Sequence, residues 1–336
     1  MGQEGTIANY QRFRTMLLFE EAMDKIDAKI RERLTEAYSN TGFGDANLCY
    51  YGPKKYLFPD NTVLLESIKS FELREDDVWV GGFSRSGTHW LAEQTWLICN
   101  NLDYEKALSV PHEERVFYFD FNPRVFDLTA GNITAAQYKG HTTAFGDLPS
   151  PRFFKTHLPL SLLPADLLDK NKMVYVVRDP RDVVVSCYHF YKNHKYASFK
   201  KDLKEFWYLF RTGHCVYCPY FENIKEYWAQ KNHPNLLFLF YEEMYADLHG
   251  TMRKVANFLG KNYTQEQFDS LYEHLQFSNM KKNKAVNFDE MLGDQANEVV
   301  RKGVAGGWRV EFDEQMTKEA EDWLAENLKD VDLKFS

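Results

Sequence analysis

Apolar residues recur along the chain in two periodic patterns, one typical of helices and one of buried strands. Between residues 8 and 38 they stand three or four positions apart among charged residues, namely Phe19, Met23, Ile26, Ile30 and Leu34. This spacing predicts an amphipathic helix. The following stretch, 39–61, is rich in turn-forming residues and predicts a loop.

Short, continuous apolar runs predict buried strands further along the chain. Such runs lie at 78–83 (VWVGGF), 152–160 (RFFKTHLPL, strand then turn), 173–182 (MVYVVRDPRD) and 235–244 (NLLFLFYEEM). Residues 88–100 and 183–194 are predicted helices, and 110–150 is predicted to be rich in loops. Strands alternating with helices favour an α/β fold with a central parallel sheet flanked by helices on both faces.

Cationic residues stand at the ends of three of these predicted strands. They are Arg85, Lys155 and Arg178. In open parallel sheets, ligands bind beyond the carboxyl ends of the strands. The sequence therefore predicts that these three cations gather around one anionic ligand.

Composition limits what that ligand and its surroundings can be. The 336-residue chain has a net charge of −8, which disfavours a general attraction to nucleic acid or to an anionic membrane. We see no basic-then-apolar leader at the start and no apolar run of about 18 residues, so we expect a cytoplasmic protein. Five cysteines in a chain of this length do not predict a disulfide framework, and the lone pair Cys215 and Cys218 does not predict a zinc site.

The loop after the first predicted strand reads GGFSRSGTHW at 81–90. Gly82 and Gly87 have the spacing of the nucleotide-binding phosphate loop, G-x-x-x-x-G-K-[ST]. Thr88 and His89 stand where that motif has Lys and Ser or Thr. The loop therefore indicates anion binding without the loop lysine and Mg²⁺ chemistry of a nucleoside-phosphate kinase, which remains a rival interpretation.

Five segments, in order, resemble the cytosolic sulfotransferases over roughly residues 50–336. The family motifs Tyr-Pro-Lys-Ser-Gly-Thr-Thr-Trp, Lys-Thr-His-Leu-Pro, Arg with Ser eight residues later, Tyr-Glu, and Arg-Lys-Gly-x-x-Gly-Asp-Trp-Lys are similar to 83–90, 155–159, Arg178 with Ser186, 241–242 and 301–309. The resemblance implies a phosphate-loop-like sulfotransferase fold, in a single domain over 1–336 with an extra N-terminal helical segment at about 1–50.

The resemblance also implies a donor, 3′-phosphoadenosine 5′-phosphosulfate, and residues that hold it. On the 5′-phosphosulfate and adenine sides they would be Arg85, Ser86, Gly87, Thr88, His89, Trp90, Tyr241 and Phe277. At the 3′-phosphate they would be Arg178, Ser186, Arg301, Lys302 and Gly303. Leu275 and Gln276 stand where the family has a small hydroxyl residue, which removes one expected adenine contact.

By the same resemblance, His157 would be the general base and Lys155 would stabilise charge on the transferred group, with Arg85 and Ser186 beside them. Arg85 replaces the lysine of the family motif. Because Arg is effectively always protonated and is a poor acid, we hypothesise that it supports the leaving phosphate electrostatically and that proton donation is dispensable. His89 replaces a threonine, and either contacts phosphate when protonated or fills space. No metal is implied.

The acceptor predicted for this family is a small hydrophobic molecule with a hydroxyl group, such as a phenol, a catechol or a steroid-like alcohol. Phe190, one helical turn beyond Ser186, is a candidate wall of its pocket, and the aromatic residues of 116–126 are either further walls or core. Two alternatives stay open: a retinol-dehydratase-like activity through a sulfonated intermediate, as in some arthropod relatives, and a non-catalytic binder of adenosine bisphosphate.

The C-terminal region departs from the family's dimerisation pattern, Lys-Thr-Val-Glu spread over ten residues. Arg309, Asp313, Glu314 and Lys318 occupy those places, and three of the four change chemical character. A homodimer therefore stays possible, but the usual contact is not preserved.

Overall fold

The computed structural model of the protein describes residues 24–38, 48–59, 67–120, 145–193, 198–287 and 303–335. The main helices and strands, in chain order, are β1 (Asp24–Lys25), α1 (Ala28–Ala37), β2 (Leu48–Tyr51), β3 (Tyr56–Pro59), β4 (Val78–Gly81), α2 (Thr88–Cys99), α3 (Tyr104–Ser109), α4 (His112–Arg115), β5 (Phe117–Tyr118), β6 (Phe153–Thr156), α5 (Leu167–Lys170), β7 (Lys172–Val177), α6 (Pro180–Asn193), α7 (Leu203–Arg211), α8 (Tyr220–Ala229), β8 (Leu236–Phe240), α9 (Tyr241–Ala246), α10 (Leu248–Phe258), α11 (Gln265–Leu275), α12 (Phe277–Lys282) and α13 (Glu314–Leu328). Single 3₁₀ turns lie at Phe145–Asp147, Leu160–Leu162 and Gly307–Val310.

The central sheet has five strands in the order β5-β6-β4-β7-β8, and every neighbouring pair is parallel. This confirms the predicted α/β fold with a central parallel sheet. Because all strands run the same way, the turns that follow β4, β6 and β7 meet at one edge of the sheet. That edge carries Arg85, the end of the Lys155 strand, and Arg178.

Side chains of successive strand residues alternate between two hydrophobic clusters, one on each face of the sheet. Trp79 and Phe154 belong to one cluster, and Val80 and Phe153 to the other. Helices α6, α7 and α8 contribute to the first cluster, and α2, α10 and α11 to the second. Burial on both faces explains why these strands appear in the sequence as continuous apolar runs.

The predicted strands are confirmed at their centres but are shorter than expected. The run 173–182 ends as a strand at Val177, and a helix starts at Pro180. The run 235–244 ends at Phe240, and Tyr241 opens α9. Both strands end close to the first charged residue that follows the apolar run, Arg178 in one case and Glu242 in the other.

The N-terminal region differs from its prediction. Within the described part of the expected helix 8–38, residues Ala28–Ala37 are helical, and the side chain of Asp27 caps this helix by accepting a hydrogen bond from the amide of Lys29. Residues 24–25 form a strand, and 8–23 lie outside the described residues. An apolar periodicity alone did not reveal the strand that precedes the cap.

The stretch 39–61 was predicted to be a loop, and this was wrong for its second half. Strands β2 and β3 form an antiparallel hairpin around a turn at 52–55, where Gly52 has φ +69°. Glycine adopts this left-handed conformation at no steric cost, and the apolar runs LCYY and YLF flank it. The turn-forming residues at 52–55 therefore belong to the tight turn of a hairpin.

Of the predicted loop-rich region 110–150, residues 121–144 lie outside the described residues. The described part contains α4 and the short strand β5, which pairs with β6 and forms one edge of the central sheet. Two residues are too few to give a periodic pattern, so the sequence could not show this strand. Its position matters, because it brings the residues after Tyr118 beside the end of β6.

Candidate active site

The loop between β4 and α2 has a backbone shape that depends on its glycines. Arg85 has φ +69° and Gly87, the N-cap of α2, has φ +95°. A Cβ on Gly87 would lie 2.6 Å from the ring of Tyr241, and one on Gly82 would lie 2.6 Å from the carbonyl oxygen of Val176. The loop therefore packs tightly while its amides and the N-terminus of α2 remain arranged for an anion.

Two hydroxyl groups in this loop are buried without a partner among the described residues. They are Ser86 Oγ and Thr88 Oγ1, and their residues are 0% and 2% exposed. A buried hydroxyl without a hydrogen bond is costly, so such groups indicate a ligand that would complete them. A phosphate or phosphosulfate group, rich in acceptor oxygens, fits this pair.

Arg178 connects the loop to the C-terminal glycine-rich segment. Its guanidinium donates to the carbonyl oxygen of Arg85 at 3.3 Å and to that of Val304 at 2.8 Å, and it lies 4.2 Å from the ring centroid of Tyr241. Asp182 fixes the same segment by accepting from the amides of Gly306 at 2.6 Å and of Trp308 at 2.9 Å. The loop at 81–90 and the segment at 303–308, which are far apart in the sequence, are thus adjacent.

The predicted adenine side also comes together. Trp90 and Tyr241 meet edge to face at 5.9 Å, and the indole of Trp90 donates to the carbonyl oxygen of Leu275. Gly303 has φ +61°, and a Cβ there would lie 2.1 Å from the ring of Phe277. Leu275 therefore contributes a backbone oxygen to this side, where a small hydroxyl side chain had been expected. Arg301 and Lys302 lie outside the described residues.

His157 lies at the end of β6 and is 8% exposed. Its Nδ1 lies 2.6 Å from the carbonyl oxygen of Gly82. Because a carbonyl can only accept, Nδ1 carries the proton and Nε2 keeps its lone pair. No described residue hydrogen-bonds to Nε2. Burial, and then the charge of Lys155, lower the pKa of His157 to about 3, so the ring is neutral at physiological pH.

Lys155, two residues earlier, is buried with its ammonium 4.6 Å from the ring centroid of Tyr118. Burial lowers its pKa to about 8, while Asp120 and Glu113 act in the opposite direction. The group is therefore mostly protonated at neutral pH. A buried cation beside a neutral imidazole is an arrangement that can stabilise developing negative charge while a proton is removed.

Arg85 lies on the other side of this cluster. Its Nε donates to Ser186 Oγ at 3.2 Å, and its guanidinium carbon lies 4.8 Å from the ring centroid of Phe190. Arg85 also lowers the pKa of both His157 and Lys155. The structure thus places Arg85 beside Ser186 and Phe190, which follow it by 101 and 105 positions in the sequence.

The side chain of His89 has a different environment from its neighbours in the loop. Its Nε2 lies 2.6 Å from the carbonyl oxygen of Val286, and its ring lies 4.2 Å from that of His112. Burial lowers the pKa of His89 well below its usual range, so the ring is neutral. Of the two roles considered from the sequence, this favours structural support over contact with phosphate through a protonated ring.

Tyr118, Asp120 and Tyr217 surround the end of β6; sequence reasoning missed Asp120 and Tyr217 and considered Tyr118 only within the aromatic run 116–126. The rings of Tyr118 and Tyr217 lie 5.2 and 5.5 Å from that of His157, and their hydroxyls are 3.2 Å apart. Asp120 accepts from the backbone amide of His157 at 3.2 Å. Tyr118 is the last residue of the two-residue strand, and no motif marks any of the three.

The aromatic run 116–126 splits between the two roles that were considered, as far as the structure describes it. Tyr118 faces His157, whereas Phe119 is fully buried against Trp79 at 4.7 Å. Residues 121–126 lie outside the described residues. The run is therefore core at one position and site at the next, as expected from the alternation of a strand.

Two positions of the altered dimerisation pattern are used within the chain. The carboxylate of Asp313 caps α13 and also lies 2.6 Å from the ammonium of Lys204. Arg309 lies over the ring of Trp308.

Among the helices that the structure describes, none has the length and hydropathy needed to cross a membrane.

Comparison with known proteins identifies the class. Residues 75–332 match the sulfotransferase domain. The chain is 31% identical to luciferin sulfotransferase of Photinus pyralis over 280 residues (78% of this chain, 74% of the relative), and 32% identical to sulfotransferase 1 family member D1 of Mus musculus over 273 residues (80% and 88%). This chain is a transferase that belongs to the cytosolic sulfotransferase family.

Solved structures are similar as well. Retinol dehydratase in a complex with retinol and PAP has a TM-score of 0.81 and 35% identity, covering 94% of this chain and 98% of that one. The same enzyme with androsterone and the inactive cofactor PAP gives 0.80 and 34%, covering 93% and 97%. A mouse sulfotransferase complexed with PAP gives 0.67 and 27%, covering 85% and 95%.

Proposed function

We propose that this enzyme transfers a sulfuryl group from 3′-phosphoadenosine 5′-phosphosulfate to the hydroxyl group of a small hydrophobic acceptor. The observation that carries the proposal is the meeting of His157, Lys155 and Arg85 beside a loop whose buried hydroxyls have no partner among the described residues. The donor, when bound, supplies a sulfuryl group whose bond to a phosphate oxygen breaks as the bond to the acceptor oxygen forms.

The chain would hold this donor at both of its ends. The loop amides, Ser86, Thr88 and the N-terminus of α2 fit its 5′ side, and Trp90, Tyr241 and Phe277 fit its adenine. Arg178, Ser186 and Gly303 would face the 3′-phosphate, together with Arg301 and Lys302. The family relationship to structures that contain PAP supports this assignment.

His157 would act as the general base. Its Nε2 lone pair is available because Nδ1 is committed to Gly82, and its depressed pKa keeps the ring neutral. It would take the hydroxyl proton of the acceptor as the oxygen attacks. Lys155 and Arg85 would stabilise the negative charge that develops, and Arg85 would do so without giving up a proton.

The acceptor we propose is a phenol or a hydrophobic alcohol. Phe190, Tyr118 and Tyr217 surround the cationic cluster with aromatic surface, and the enzyme's relatives include a luciferin sulfotransferase. Since the family is the cytosolic one, we propose the cytoplasm as its location.

A second candidate activity is dehydration of an alcohol through a sulfonated intermediate. The observation that favours it is the similarity to retinol dehydratase, whose structure superimposes with a TM-score of 0.81. The two activities share the transfer step and differ in the product, an ester in one case and an alkene with released sulfate in the other.

The test is incubation of the enzyme with the sulfur-labelled donor and a library of phenols and hydrophobic alcohols, with products identified by mass spectrometry. We expect label in an ester, or in free sulfate with an alkene formed in equal amount. His157→Ala should lose transfer and still bind adenosine 3′,5′-bisphosphate in calorimetry. A wild-type enzyme that binds the bisphosphate but transfers to no acceptor would instead be a binding protein, and ATP consumption would favour the kinase.

A further inference from the structure

One carboxylate is hydrogen-bonded to the backbone at the end of β6. The two oxygens of Asp120 accept from the backbone amide of His157 at 3.3 and 3.2 Å. The preceding residue, Phe119, donates its backbone amide to the carbonyl oxygen of Lys155 at 2.8 Å. The charge of Asp120 also raises the pKa of Lys155. Both members of the Lys155–His157 pair are therefore tied to the same short segment.

Asp120 is itself held in place. It is 1% exposed, and the nearby phenol of Tyr217, whose hydroxyl lies 3.2 Å from that of Tyr118, lowers its pKa. Tyr217 has φ +70°, an unfavourable conformation for a residue with a side chain. Strain of this kind persists where the surrounding structure imposes it, and it concentrates at functional sites. Burial and the amide of His157 therefore restrict the orientation of this carboxylate.

We propose that Asp120 is the positioning residue of the catalytic Lys155–His157 pair: its carboxylate fixes the backbone amide of the residue that carries the imidazole, and its negative charge balances that of the ammonium. This inference rests on the proposed function, because it assigns roles within that reaction. Asp120 does not touch the reacting atoms and acts through its two neighbours.

The charges around Lys155 make the counter-charge role specific. The anions that raise its pKa are Asp120, with the larger effect, and Glu113 of α4. Burial and the guanidinium of Arg85 lower it, and His157, His89 and His112 nearby are neutral. The phenols of Tyr118 and Tyr217 stay protonated, because burial raises the pKa of each well above its usual range. Removing the Asp120 charge would leave only the weaker anion.

The test is the pH dependence of kcat in Asp120→Asn, which keeps the shape of the side chain and removes the charge. We expect the alkaline limb of the profile to move to lower pH by about one unit, because an opposite charge at close range shifts a pKa by that order. We also expect kcat to fall by up to about 100-fold at the optimum, since small displacements of catalytic groups are costly. Affinity for adenosine 3′,5′-bisphosphate should stay unchanged.

Three further variants separate the two roles. Asp120→Glu should return the alkaline limb towards its original position while kcat stays low. Tyr217→Phe, which leaves the charges of Asp120 and Lys155 in place, should lower kcat without moving the alkaline limb of the pH profile. Glu113→Gln should move the limb less than Asp120→Asn does.

An alkaline limb that stays in place in a folded Asp120→Asn enzyme would overturn the counter-charge role. If that variant does not fold, Asp120→Glu and Tyr217→Phe decide: wild-type kcat in both would overturn the positioning role. Failure of the proposed function looks different, because the wild type itself would then transfer no sulfuryl group.

Discussion

The proposed donor half and the proposed acceptor half of the site are built in different ways. The donor half, made of the loop at 82–90, Arg178 and the segment at 303–308, depends on backbone conformation: glycines at positive φ and carbonyls contacted by one arginine. The acceptor half, around His157 and Lys155, depends on buried side chains that hydrogen-bond to one another and to the backbone. We therefore expect that substitutions can impair donor binding and sulfuryl transfer separately.

The largest expected effect is in the acceptor half. Lys155→Met removes the buried ammonium that we assign to charge stabilisation, and kcat should fall by roughly 10²–10³-fold, as when one preorganised donor is lost from an active site. Steady-state kinetics with labelled donor measure this, and calorimetry with adenosine 3′,5′-bisphosphate should give nearly wild-type affinity. The exposed Lys170→Met is the matched control. A large loss of affinity would mean that the two halves are not separable.

Arg85 lies between the two halves, so its variants sharpen the boundary. Arg85→Ala should lower kcat by roughly 10- to 100-fold, because it removes a fixed positive charge beside Ser186 and Phe190. Arg85→Lys should retain most of the rate, since it restores the charge and the residue of the family motif. An alanine variant with unchanged turnover would remove Arg85 from the mechanism.

In the donor half, Gly87→Ala should weaken binding of adenosine 3′,5′-bisphosphate by about tenfold or more while kcat with saturating donor changes less. The added Cβ would lie 2.6 Å from Tyr241 at a residue with φ +95°, and the left-handed conformation alone costs about 1–2 kcal/mol. Gly260→Ala is a matched control, because Gly260 has φ +73° with no atom within 4 Å of a Cβ. Equal affinity losses in the two variants would refute the packing argument.

The smallest effect concerns stability and pH. The folded-state pKa of His157 is depressed to about 3, so between that value and its ordinary pKa the unfolded chain binds a proton that the folded one does not. His157 therefore destabilises the fold as pH falls below about 6.5. His157→Gln should lose less stability than the wild type between pH 6.5 and 4.5 in urea unfolding. Parallel curves for the two proteins would show that the imidazole is not buried as described.

The donor half could be predicted from sequence because it is local. The loop from Gly82 to Thr88 is recognised by two glycines at a fixed spacing followed by a helix. The order of the family motifs along the chain predicted that Arg178 and Gly303 lie near this loop. The roles of all these residues in holding the donor remain predictions, and Arg301 and Lys302 lie outside the described residues. Strand centres were predictable for a similar reason, since burial on both faces leaves an apolar run.

The acceptor half was only partly predictable because its partners are distant in sequence. His157 and Lys155 were found through a motif. Asp120 follows a strand that is too short to show a periodic pattern. Tyr217 lies between Cys215 and Cys218, which were considered only as a possible metal site. The positions of Asp120 and Tyr217 depend on tertiary contacts that no local pattern encodes. The hairpin β2–β3 is local, but its apolar runs are short and its turn-forming residues led to the prediction of a loop.

The hairpin carries a consequence for how this enzyme can be altered. Leu57 in β3 exchanges two backbone hydrogen bonds with the chain at 217–218: its amide donates to the oxygen of Cys218 at 2.8 Å, and its oxygen accepts from the amide of Tyr217 at 2.9 Å. A segment that precedes the whole nucleotide-binding core thus holds the backbone of a ring that borders the reaction centre. Shortening or swapping this N-terminal ribbon should retune acceptor preference without a single change in the motifs that define the family.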